Sequence, residues 1–185
     1  MTENHEAPAT PDVRLLESFV NTNDIEEERD ELRTPADLKA WLAERGYEAG
    51  SVDAETHARA IAVREGIRAL ARANNGEPLD LDRVDALNRA AAAMPVTIGL
   101  TPEGWDLVPA GSGAEAFLAH LLATVARSKA EGSWSRVKAC RNDTCRWLFF
   151  DESRNRSHTW CSMAVCGSRA KSRAYRARRR DSATA

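Results

Sequence analysis

Four cysteines constrain this chain more than any other feature. Cys140 and Cys145 are separated by four residues, Cys161 and Cys166 again by four, and fifteen residues lie between the pairs; the preceding 139 residues contain no cysteine. Two close pairs joined by a loop can bring four thiolates onto one tetrahedral ion, and Zn2+ suits that donor set because it is borderline-soft and redox-inert. Four protein ligands fill the coordination sphere, so the spacing predicts one structural Zn2+ with no open position for an activated water. Two other readings compete with this one. The cysteines could be free and buried or redox-paired, or His158 could replace one thiolate.

Charge divides the chain at the same place. Residues 1–133 carry 13 basic and 24 acidic side chains, whereas residues 134–185 carry 13 basic and 4 acidic, so a formal net charge of -2 hides a two-signed molecule. A concentrated positive field is the usual footprint of an anionic partner, with nucleic acid the leading class. The first twelve residues are polar and lack an apolar stretch, and no apolar run approaches the roughly 18 residues of a membrane span. A cytoplasmic location without membrane association is therefore expected, and a reducing compartment disfavours pairing the cysteines as disulfides.

Periodicity predicts a mainly α fold. Residues 1–12 read as a disordered lead-in, and residues 13–133 as a helical domain with one β-hairpin near 95–109. Leu15, Leu16, Phe19 and Val20 predict a first helix ending near Asn21. Thr34 and Pro35 open a second that Gly46 ends, and a third runs from about Asp53 to Asn74. Leu81, Val84, Leu87 and Ala91 give a fourth, closed by Pro95. After the hairpin, residues 112–130 return to helical phasing, and Gly132-Ser133 reads as a hinge. Residues 134–180 then form a small four-cysteine zinc-finger module with a strand at 147–150 and a basic C-terminal helix, followed by a tail at 181–185. About 45 residues lie below the size at which a core suffices alone, so metal is expected to hold the module together and chelation to melt it first.

The candidate nucleic-acid contacts are Arg154 and Arg156 in the loop before the second cysteine pair, and Arg169, Lys171, Arg173, Arg176, Arg178, Arg179 and Arg180 behind it. Arg169, Arg173, Arg176 and Arg180 recur at helical spacing, and Ala170, Ala174 and Ala177 form a small-residue face expected to sit on the zinc core. Trp147 and Trp160 could pack around the metal or stack on bases. No glycine-rich phosphate loop, nucleophile elbow or His-Glu metal-protease pair occurs, so the chain is not expected to be an enzyme; His57 and His120 are assigned ordinary packing or surface roles.

Residues Arg154 to Ser157, Trp160 to Met163 and Cys166 to Lys171 resemble the CGNR zinc-finger family, and Phe19 to Thr22 resemble the opening motif of the ABATE domain that precedes this finger in the family. The resemblance implies bacterial, stress-linked transcription regulators in which the four cysteines bind zinc. Two departures stand out: Ser168 replaces the asparagine of the motif that names the family, and His158 and Thr159 replace two arginines. The reading that follows is a DNA-binding regulator whose N-terminal domain senses a small-molecule effector or mediates homodimerisation. Asn21 and Thr22 are candidate pocket residues, with a helix-end capping role as the other reading. An RNA-binding or ribosome-associated protein and a protein-interaction adaptor are the alternatives.

Overall fold

A computed structural model describes residues 8–102 and 104–183. The fold is mainly α, and four of its helices start at a side-chain cap. Helix α1 (Pro11–Val20) opens with Thr10 accepting a hydrogen bond from the Val13 amide and with proline in the first turn, where its missing N–H costs nothing. Two residues assigned to the lead-in are therefore helical, because Thr10 and Pro11 are a stronger start signal than the polar composition around them; residues 1–7 of that lead-in lie outside the described residues. Two-residue strands β1 (Asn23–Asp24) and β2 (Arg29–Asp30) follow, paired antiparallel and too short to show any period in the sequence.

Helix α2 (Pro35–Glu44) has a full capping box between Thr34 and Asp37, and Gly46 at φ +78° supplies the left-handed residue that stops it. Helix α3 (Ala54–Asn74), capped by Asp53, is the 21-residue spine of the molecule. Helix α4 (Leu81–Ala91) lies so close to it that a Cβ on Gly66 would sit 2.5 Å from Cβ of Leu87. Leu87 and Ala90 bury there, while Leu81, expected in the buried stripe, is 66% exposed. Strands β3 (Val96–Thr101) and β4 (Gly104–Pro109) form the expected hairpin, with Ile98 opposite Leu107. Helix α5 (Gly113–Ala130) closes the helical half.

The core sits where α1, α2, α3 and α5 meet, around Leu16, Phe19, Leu38, Leu42, Val63, Ile67, Leu118 and Leu121. Phe19, Trp41 and Phe117 pack edge to face with centroids 5.6 to 5.7 Å apart, the arrangement the ring quadrupoles favour.

Gly132-Ser133 is not a hinge between independent bodies. Beyond it, strands β5 (Val137–Ala139) and β6 (Leu148–Phe150) pair antiparallel, and Trp134, Val137, Ala139 and Leu148 belong to the same continuous core as the helices. Three asparagines tie the halves together. Asn74 at the end of α3 donates to the Trp134 and Val137 carbonyls, each at 2.8 Å, and Asn75 donates to those of Ala139 at 2.8 Å and Thr159 at 2.9 Å. Asn21 acts as a false strand against β6, donating to Leu148 O at 2.9 Å and accepting from Leu148 N at 2.7 Å. Buried Arg68 adds a bond to Arg146 O at 2.8 Å. A module of this size completes its core by borrowing that of its neighbour.

Candidate metal centre and the basic helix behind it

Strand β5 delivers Cys140 to the end of its rung, and a tight turn returns the chain to β6. In that turn the Cys145 amide bonds to Asn142 O at 2.8 Å, Arg146 adopts φ +53°, and the Cys140 amide bonds to Trp147 O at 2.9 Å. Cys161 comes from the loop behind β6. Cys166 comes from a π turn (Met163–Gly167) whose first residues are held by the Ser162 hydroxyl accepting from Val165 N. The four sulfurs lie within 4.8 Å of one another, with Cys145 and Cys161 at 3.6 Å and Cys161 and Cys166 at 3.8 Å. A tetrahedron with Zn–S bonds of about 2.3 Å has S···S edges of about 3.8 Å, so the donor set matches one zinc ion in both chemistry and size.

Electrostatics leads to the same ion. Interaction with the neighbouring Cys145 and Cys161 thiols holds Cys140 far below the ordinary thiol value, at about 2. The same crowding pushes those two the other way, Cys145 up to about 12 and Cys161 further still. Four crowded sulfurs thus resist ionising together unless a cation joins them, which is the role of a structural dication. His158 is not part of this group; its ring stands 3.7 Å from Asp151 Oδ1, which leaves four cysteines as the set.

Around the sulfurs lies a buried polar frame that sequence reasoning missed. The Lys138 ammonium, 6% exposed, meets the fully buried Asp151 carboxylate at 2.7 Å and donates to the carbonyls of Arg156 at 2.5 Å and His158 at 3.1 Å. Asp151 also accepts from Ser153 N at 2.9 Å and His158 N at 3.0 Å, fixing the loop that leads to Cys161. A lysine in the middle of a three-residue strand carries no signal of burial, since its partner is met only in three dimensions. Asn142 links the metal to the basic helix: its Nδ2 approaches Cys166 Sγ at 3.9 Å and its Oδ1 accepts from Arg173 at 3.3 Å.

Helix α6 (Ser168–Ala183) leaves the centre directly from the π turn. Ala170 is half-buried, but residues 171–180 are all exposed, so Ala174 and Ala177 do not rest on the zinc core as their spacing suggested. Three methyl groups offer too little apolar area to hold a helix against a surface, and this one projects instead. Lys171, Arg173, Arg176, Arg178, Arg179 and Arg180 therefore stand in solvent, and Arg169 at the base touches Glu26 from the β1–β2 turn. Arg154 is exposed on the loop after β6, and Arg156, at φ +50°, donates to Ser135 Oγ at 3.0 Å.

The candidate pocket residues are engaged by the protein itself. Both polar atoms of the Asn21 amide are used by Leu148, while Thr22 is buried, donating to Phe19 O at 2.8 Å and accepting from Arg64 at 3.3 Å. His57 bonds to Leu32 O at 2.8 Å and His120 lies 3.3 Å from Asp12, the ordinary roles expected.

Residues 136–179 match the family described as the CGNR zinc finger, and residues 14–131 match ABATE, described as "Putative stress-induced transcription regulator". The chain belongs to the ABATE family. Its finger holds one structural zinc ion. No curated protein matches the chain. The departures of this ABATE protein from the family pattern have a physical reading. His158 and Thr159 contribute through their backbones, which bond to Asp151, Lys138, Asn75 and Arg141, and that role is indifferent to the side chain. Ser168 starts α6 with its hydroxyl on Met163 O at 3.2 Å. Among the described residues no helix is long and apolar enough to cross a membrane.

Proposed function

We propose that this ABATE protein is a cytoplasmic, non-enzymatic transcription regulator that docks α6 on duplex DNA, with its N-terminal half as the effector-sensing or dimerising part. The observation that carries the reading is the exposed run 171–180, which holds six basic residues, contains no acidic one, and is fixed at its base by the zinc centre. A helix of 16 residues extends about 24 Å, long enough to follow a groove wall about 12 Å wide while several guanidinium groups reach phosphates. Arg154, Arg156 and Arg169 are the added candidates, and Lys171, Arg173, Arg176, Arg178, Arg179 and Arg180 the principal ones. Phosphate contacts of this kind supply affinity and orientation; sequence choice needs base edges.

The test uses the full zinc-loaded chain, because residues 134–185 share their core with the helices. Its affinity for a duplex is followed between about 50 and 200 mM salt, where each neutralised phosphate contributes about 0.9 to the slope of log K against log salt. Replacing Lys171, Arg176 and Arg179 by alanine should reduce that slope by about 2 to 3. Absence of duplex binding at the low-salt end ends the proposal, and tighter binding to structured RNA than to duplex DNA would replace it with the RNA-binding reading.

A further inference from the structure

Strands β3 and β4 leave an apolar face uncovered. Their register sets Ile98 opposite Leu107 and Leu100 opposite Trp105, and side chains opposite one another point to the same side of the ladder. On the other side Asp106 turns to α5, where its carboxylate accepts from Arg127 at 2.8 Å. Val96, at the base of the first set, packs against the helical core. Outward from it the set stands in water: Ile98 is 70% exposed, Leu100 84% and Trp105 56%. An antiparallel pair with one solvated face ordinarily turns polar side chains to the water, and this one turns apolar ones.

Area and charge narrow what covers this face. Ile98, Leu100 and Trp105 together expose roughly 400 Å2, the size at which apolar patches mark interaction sites. Two such faces packed on each other bury about 800 Å2, some two thirds of the roughly 1,200 Å2 at which stable interfaces begin, before Leu107 and a polar rim are added. Residues 1–133 carry 24 acidic side chains against 13 basic, which disfavours an acidic partner or an anionic bilayer. A basic partner finds no free carboxylate on the strands, because Asp106, the one acid in either, is held by Arg127. Two identical uncharged faces need no counter-charge, and a two-fold axis lays such a patch on its own copy.

We propose that the protein dimerises through this face, with the β3–β4 hairpins of two copies packed face to face about a two-fold axis. This deepens the dimerising half of the proposed function and rests on that reading for its use. Helix α6 takes no part in the face, so each copy keeps its basic helix free, and the symmetric pair presents two of them to two half-sites of a duplex.

The test is sedimentation equilibrium of the full zinc-loaded chain, without DNA, at about 1 to 200 µM protein. A reversible monomer–dimer equilibrium is expected, with a Kd of about 1–100 µM for an interface at the small end of the range. Raising the salt from about 50 to 500 mM should tighten the dimer by screening the repulsion of two acidic halves, the opposite of its effect on duplex binding. Leu100→Glu should weaken the dimer by at least about tenfold, since each copy then sets a carboxylate in the apolar contact. Its urea midpoint at the lowest concentration should match that of the wild type, because Leu100 is exposed in the monomer. Should this variant fail to fold, Ile98→Thr, which keeps the β-branch, is read in the same way. A chain that stays monomeric over the whole range, or a dimer undiminished in a folded variant, overturns the proposal. So does a dimer that dissolves as salt rises, which would set the basic helix of one copy on the acidic half of another. Capture of the monomer on neutral phosphatidylcholine vesicles, lost in Leu100→Glu, would assign the face to a bilayer and overturn it too. A dimer that binds no duplex sinks the proposed function and leaves this interface standing, whereas a monomer that binds duplex does the reverse.

Discussion

Replacing Asn75 with alanine tests the joint between the two halves at its most exposed point in energy. The Asn75 amide is 6% exposed and donates to both Ala139 O and Thr159 O, one acceptor on the strand that ends at Cys140 and one on the loop that enters Cys161. Backbone strain does not enter, because Asn75 has φ -101°, which alanine adopts readily. Each lost hydrogen bond costs about 1 kcal/mol, and a buried carbonyl left unpaired adds to that, so the substitution should destabilise the zinc-loaded chain by about 2–4 kcal/mol. With a urea slope of about 2 kcal/mol per molar, the unfolding midpoint should fall by about 1–2 M at unchanged slope. Asn75→Asp preserves shape but aims lone pairs at two carbonyl oxygens, and should be at least as harmful. Circular dichroism and tryptophan fluorescence followed through the same urea series provide the readout. A loss of less than about 0.5 kcal/mol would mean that water replaces the amide without penalty and that the joint is not made as described.

Further consequences can be checked with the same protein. Removing zinc with a chelator should lower the stability of the whole chain in one cooperative transition, because Trp134, Val137, Ala139 and Leu148 share the helical core; a separate early transition confined to the finger would contradict the shared core. Asp30→Asn should cost about 2–3 kcal/mol by breaking the paired bonds, both 2.7 Å, to the buried Arg64 guanidinium. Burial alone would raise the Asp30 pKa, but Arg64 and the Leu32 amide bring it below the ordinary aspartate value. The unfolded chain therefore takes up the proton first: the pair's stabilisation is complete above the ordinary aspartate range and is lost as pH falls through the lower folded value, and acid melts should show that dependence weakened in Asp30→Asn. Glu26→Gln, which removes the contact at Arg169, should raise duplex affinity at low salt and leave it unchanged at high salt; equal affinities at both would exclude competition by the acidic turn.

Much of this architecture is legible in the chain because it rests on local chemistry. Thr34 with Pro35 and the start near Asp53 announce helices, and two cysteine pairs at equal spacing announce a metal, whereas the start at Thr10 and Pro11 is masked by the polar composition around it. What escapes is chemistry whose partner is far away. Asn21, Asn74 and Asn75 read as helix-end polar residues, yet their amides serve carbonyls some 60 to 127 positions distant. Lys138 carries no local signal of burial, yet it is buried on Asp151. The alanines of α6 gave the opposite error: a regular spacing suggested a packed face, and no surface meets it beyond Ala170.

The asparagine joint also decides what can be borrowed from this protein. A finger whose strand and loop carbonyls look to Asn74 and Asn75, and whose outer strand looks to Asn21, is no portable cassette. Transplanted behind another sensor it would arrive with a row of unmet acceptors and a hydrophobic underside, and would aggregate or unravel before reaching any target. Retargeting such a protein is a matter of editing the outward arginines in place.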